Sequence, residues 1–94
     1  MSPTFISPRI RMRIESLGFH YDPIYDRWYL NFRRNILLNF DGYSMFLWTV
    51  VTPYYGTVHW NQSLEEFKKL KRKTVRYYIG DKLRRYSDSG SNRS

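Results

Sequence analysis

The sequence contains no cysteine. That absence excludes a disulfide framework, a thiolate zinc site, an iron–sulfur cluster and thiol catalysis. Acidic residues are scarce, 8 Asp+Glu against 16 Lys+Arg, for a formal net charge of +8. There are 2 histidines. His20, Asp22 and Asp26 are the nearest approach to a metal-ligand set, but both aspartates are better explained as turn residues, and no metal is expected. No carboxylate pair, Ser/His/Asp set or glycine-rich phosphate loop is present. The expectation is a protein that is not an enzyme, with no catalytic residue, no cofactor and no small-molecule substrate. No apolar run approaches the ~20 residues of a spanning helix. Met1–Phe5 lacks the basic-then-apolar order of a signal peptide. A cytoplasmic location and no membrane partner are therefore expected.

Hydrophobic residues make up 41% of the 94 positions and aromatic ones 19%. So much apolar surface favours collapse over disorder. The length suits one domain with a single sheet and one or two helices. The charge is unevenly placed. Residues 1–34 hold six arginines and three acids. Residues 35–62 hold Asp41 alone. Residues 63–86 hold nine Lys/Arg against Glu65, Glu66 and Asp81, a net of +6.

Local signals predict an α+β fold spanning residues 1–86, followed by a Ser/Asn/Gly-rich disordered tail at 87–94. Ser7 as cap, Pro8 at the first helical position and Gly18 just past the end predict a short N-terminal helix. The alternation of Ile10, Met12 and Ile14 with three arginines also admits a strand. An antiparallel meander of four to five strands follows: Phe19–Tyr21, Arg27–Phe32, Asn35–Phe40, Tyr43–Thr52 and an edge strand at Gly56–Trp60. Its turns are 22–26, 33–35 and Asp41-Gly42. Ser63-Leu64-Glu65-Glu66 is a capping box that opens a basic C-terminal helix. The phase of its apolar stripe shifts, which predicts a bend or break near Lys73–Thr74.

A two-residue turn at Asp41-Gly42 sets Phe40 opposite Tyr43 and Leu38 opposite Met45. Phe46 and Trp48 then share the outer face of the sheet with Leu37. Large exposed aromatics on a sheet need an explanation. Three are open: cover by the chain itself, a protein or homo-oligomer interface, or a base-stacking platform. Phe46, Trp48, Tyr54 and Tyr55 are the candidate aromatic contact surface.

The strongest functional signal is the run Lys68, Lys69, Lys71, Arg72 and Lys73, continued by Arg76, Arg84 and Arg85 and joined from the turn by Arg33 and Arg34. Phosphate contacts use such flexible cations without demanding fixed geometry. A solvated, solubilising helix face is the competing explanation. The expected activity is a non-enzymatic basic binding module for nucleic acid or a ribonucleoprotein. The alternative is a protein–protein inhibitor or adaptor working through the exposed aromatic surface of the sheet.

A short helix ending Leu17-Gly18-Phe19, an aromatic meander and a capped helix at Ser63–Leu70 together resemble small accessory proteins of phages and mobile elements. The resemblance is one of layout, over residues 9–72. It implies a role in blocking host machinery, including restriction and CRISPR nucleases, in the host cytoplasm. Acidic DNA mimicry, common among such inhibitors, does not suit a charge of +8. A basic inhibitor would instead engage guide RNA, DNA or an acidic protein surface.

Overall fold

The computed structural model describes residues 6–31 and 33–91. It shows an N-terminal helix, a five-stranded antiparallel sheet and a helical C-terminus, an α+β layout. Helix α1 spans Pro8–Ser16. Ser7 caps it by accepting from the Ile10 N–H at 3.3 Å, and Pro8 occupies the first turn, where a missing N–H costs nothing. Gly18, at φ +100°, takes the chain out of the helix in a conformation that a Cβ would strain. These end signals, and not the Ile/Met alternation, decide between helix and strand. Arg11 accordingly turns toward Tyr21 and Trp28 while Arg9 and Arg13 line a crevice against the C-terminal segment.

The strands β1 (Phe19–Asp22), β2 (Arg27–Leu30), β3 (Arg33–Phe40), β4 (Met45–Thr52) and β5 (Gly56–Ser63) pair in sequence order. The 22–26 turn forms as its chemistry predicts: Asp22 accepts from the Ile24 N–H and Asp26 from the Tyr21 hydroxyl. The next turn does not sit at 33–35. The register between β2 and β3 shifts after Tyr29, Leu30 faces Arg33, and Arg33 and Arg34 are already strand residues. Asn31 is held at that turn by donating to the Gly18 carbonyl at 2.8 Å. Phe32 lies outside the described residues.

The β3–β4 register corrects the expected one. Phe40 pairs with Phe46 and Leu38 with Trp48. Relative to a two-residue turn, the pairing moves by three positions (Phe46 in place of Tyr43), an odd number, so β4 presents its opposite face. Phe46 and Trp48 are therefore not an exposed contact surface; each is 0% exposed. Burial energetics explain the choice. An aromatic side chain buries ~150–250 Å², and at ~25 cal/mol/Å² the larger apolar area of Phe46 and above all Trp48 favours them for the core over Met45 and Leu47. The longer turn is in turn stabilised by Asp41, whose carboxylate accepts from the N–H groups of Tyr43, Ser44 and Met45.

All the helices pack on this inner face. Phe46 stacks on Phe67 with centroids 4.0 Å apart, and Trp48 lies between Phe19, Trp60 and Tyr78. The Trp48 indole N–H, which would be costly to bury unpaired, donates to Gln62 at 2.9 Å; Gln62 is the buried polar residue of the core. The outer face carries the cross-strand row His20, Tyr29, Leu37, Thr49 and His59, with Met45 and Val51 exposed beside it.

The basic C-terminal stretch breaks near Lys73–Thr74 as the phase shift predicts, and forms two helices. Helix α2 (Leu64–Lys69) starts at Ser63, whose hydroxyl accepts from the Glu66 N–H. The reciprocal bond of the capping box, from the Glu66 side chain, is not formed among the described residues. Leu70, which must stay extended to bury its side chain, ends α2. Arg13 closes that end by donating to the carbonyls of Lys68 and Leu70 at 2.5 and 2.6 Å. A 3-10 turn (Arg72–Thr74) then leads into α3 (Val75–Ser91). Helix α3 continues through residues 87–91. Tyr55 ties that end down, its hydroxyl bonding Ser87 at 2.8 Å and its ring meeting Tyr86 edge-on. Residues 92–94 lie outside the described residues.

Candidate functional site

The cations divide by what already holds them. Lys68 pairs with Glu65 at 3.7 Å, and Arg84 and Arg85 pair with Asp81 at 3.6 and 3.1 Å. Arg34 lies over the Tyr29 ring, 5.4 Å from its centroid. Lys69 and Lys71 are exposed and lie outside the clefts described below. Arg33, Arg72, Lys73 and Arg76 are different. They are exposed, they form no ion pair among the described residues, and they meet at one end of the sheet.

Two adjoining clefts bring them together. The first, about 330 Å³, is lined by Arg72, Lys73 and Arg76 from the 3-10 turn and α3, and by Gly18, Leu30 and Asn31. The second, about 280 Å³, has Arg33 and Arg76 on its wall and an apolar floor that includes Leu30, Ile36, Ile79 and Leu83. Leu30 and Arg76 line both. Among the described residues no acid lines either cleft. Gly18 is packed from the same side: a Cβ there would stand 3.8 Å from the Arg72 Nε. The break after α2 is what aims these cations. A continuous helix from Ser63 would carry Arg72 and Lys73 along its axis, whereas the extended Leu70–Lys71 link and the 3-10 turn bring them beside Gly18.

The candidate residues therefore separate. Arg33, Arg72, Lys73 and Arg76 converge; Lys68, Arg84 and Arg85 are ion-paired; Arg34 lies against Tyr29. Tyr54 is 88% exposed at the β4–β5 turn, and Tyr55, 44% exposed, is engaged with α3. Asn31 and Leu83, not singled out from the sequence, also belong to the clefts, with Ile79 of the helix's apolar face and Gly80. Gly80 carried a signal, being a glycine inside a helix where alanine is preferred. Tyr77, 79% exposed one helical turn beyond Lys73, is a further aromatic beside this cationic end.

Titration properties set in the fold lie elsewhere. Three backbone N–H groups, Met45 first, hold the Asp41 carboxyl below the usual carboxylate range. Burial pushes the Tyr78 hydroxyl up, and the hydrogen bond that Tyr21 donates to Asp26 raises the Tyr21 hydroxyl. Among the described residues, no three His, Asp or Glu lie where they would hold a metal ion, and no helix is long and apolar enough to cross a membrane. Comparison with protein-family models, with curated proteins and with solved structures finds no match to this chain.

Proposed function

We propose that this protein is a non-enzymatic nucleic-acid-binding module that contacts the phosphate backbone through Arg33, Arg72, Lys73 and Arg76. The observation that carries the reading is that four unpaired cations, drawn from two parts of the chain far apart in sequence, line two joined clefts with no acid among them. Gathering like charges without an acid is unfavourable for the fold alone, so an anionic partner accounts for it. A polyanion also suits two separate clefts better than one small anion does. Arg84, Arg85 and Lys68 form the outer part of the field and contribute less, because each already has a carboxylate to satisfy it.

The resemblance in layout to phage and mobile-element proteins directs this reading toward a nucleic acid held by host machinery, such as the guide RNA of a CRISPR nuclease. The second reading, a protein partner, is favoured by one observation: Met45 and Val51 are exposed on the uncovered outer face of the sheet.

A salt series with labelled oligonucleotides tests the first reading. Log affinity should fall linearly with log salt, and reversing all four cations to glutamate should lower the slope by roughly 2, at about 0.7 per phosphate on a single strand with Arg72 and Lys73 sharing one. Reversing Arg84 and Arg85 should change it less. Affinity and slope unchanged by the fourfold reversal would sink the reading.

A further inference from the structure

The second cleft is not built like a phosphate site alone. Its two arginines stand over an aliphatic floor. An inorganic anion has no use for that floor, and an apolar ligand has no use for unpaired arginines. The ligand that satisfies both carries a flat, weakly polar group and a negative charge side by side. A nucleotide within a strand has that composition, with a base for the floor and phosphates on each side of it. The volume, about 280 Å³, falls just short of the ~300 Å³ at which drug-sized pockets begin, so it suits one ring system and not a larger ligand.

Gly80 supplies an independent observation. It lines this cleft from within α3. Glycine weakens a helix interior, so close packing would ordinarily explain it. Here packing does not: a Cβ at position 80 would meet nothing within 4 Å. What the missing side chain leaves is open space beside the cleft, Gly80 itself being exposed. Asn35, on the same wall, donates its amide to the Val51 carbonyl at 3.1 Å and keeps its own carbonyl oxygen as an acceptor.

Resting on the nucleic-acid reading above, we infer that this slot takes one unstacked base of a single-stranded polynucleotide. Arg33 and Arg76 hold the phosphates that flank it, and Arg72 and Lys73 hold the next phosphate in the adjoining cleft. A paired base cannot enter, so the protein discriminates single strands from duplex. Recognition of this kind is open to RNA and DNA alike, since both offer unstacked bases and phosphates.

The experiment measures fluorescence anisotropy of the full chain with labelled 12-mers: ribose and deoxyribose single strands, the same strands with a run of abasic sites, and the matching duplexes. Single strands should bind about tenfold more tightly than duplex, the low end of what one base contact supplies. Abasic strands should lose that margin while keeping the salt slope. Comparing the ribose and deoxyribose arms shows which backbone is preferred. Gly80→Leu, which adds a large side chain to the lining of the cleft and leaves every cation in place, should also reduce the margin. Should that variant fail to fold, 2-aminopurine placed within the strand gives the same information on the unaltered protein. Its emission rises when the base leaves its stack, and that rise is expected on binding. Equal affinity for single strands, abasic strands and duplex, with no rise in emission, overturns the slot and leaves the phosphate-binding reading standing. Polyglutamate of matched charge binding as tightly as the strand overturns the slot as well. Failure of every oligonucleotide to bind overturns both.

Discussion

The two ends of the sheet use charge in opposite ways. At the end with the β1–β2 and β3–β4 turns lie Asp22, Asp26, Asp41, Glu65 and Glu66, brought together because the Leu64 N–H bonds the Ser44 carbonyl and starts α2 there. Most of these acids take part in the structure. Asp41 holds three N–H groups of its turn, Asp22 one of its own, Asp26 receives the Tyr21 hydroxyl, and Glu65 pairs with Lys68. At the other end, Arg33, Arg72, Lys73 and Arg76 hold nothing among the described residues. Most of the charge that the fold leaves over lies at that end, where Asp81 is the acid consumed, by Arg84 and Arg85. Such an asymmetry orients an approaching polyanion as well as attracting it.

The contrast can be broken at either end. The largest effect on stability is expected where α2 begins. Ser63→Ala removes the cap and should cost about 1 kcal/mol in chemical denaturation, while Arg72→Ala should stay within about 0.5 kcal/mol. If both cost the same, the cations are structural and the contrast is lost. A smaller effect of opposite sign is expected at Gly80. Gly80→Ala should raise stability by roughly 0.5–1 kcal/mol, because the site is helical and a methyl group there meets open space. A loss of stability would mean that the cleft wall is packed more tightly than described.

The smallest effect is the pH response of the Asp41 turn. Its carboxyl lies lower in the folded than in the unfolded chain. The stabilisation is therefore complete above the unfolded value, ~3.9, and is lost as pH falls through the folded one. The difference in thermal midpoint between the protein and Asp41→Ala should be constant near neutrality and shrink on acidification below that value. A difference that persists in acid would assign the effect to the neutral Asp41 side chain and not to its charge.

Much of this fold is legible in the sequence because its signals are local. Ser7-Pro8 and Gly18 bracket α1, Ser63 starts α2, and Asp22-Pro23 makes its turn through side chains within two residues. The β3–β4 hairpin shows where locality ends. Asp-Gly marks the place of the turn but not its length, and the carboxylate that bonds three successive N–H groups favours the longer loop. The large rings at Phe46, Trp48 and Val50's side of β4 carry the deciding information, since burying them outweighs any preference of a turn type. The cations of the clefts were legible as a basic run, but their convergence was not. That convergence depends on Arg33 and Arg72 meeting, and that follows from where Leu70 breaks the helix, a tertiary outcome of its need for the core.

Arg13 deserves separate treatment in any mutational scan of the cations. It stands in the N-terminal helix, far from the clefts in sequence, yet its guanidinium holds the carbonyls at which α2 stops. Removing it frees those carbonyls and loosens the joint that sets where Arg72 and Lys73 lie. Affinity for a polyanion would then fall as though a phosphate contact had been lost, although Arg13 makes none. Lysine in its place would preserve the charge and not the fork that reaches both carbonyls. A tally of arginines by their effect on binding would thus count a hinge pin among the fingers.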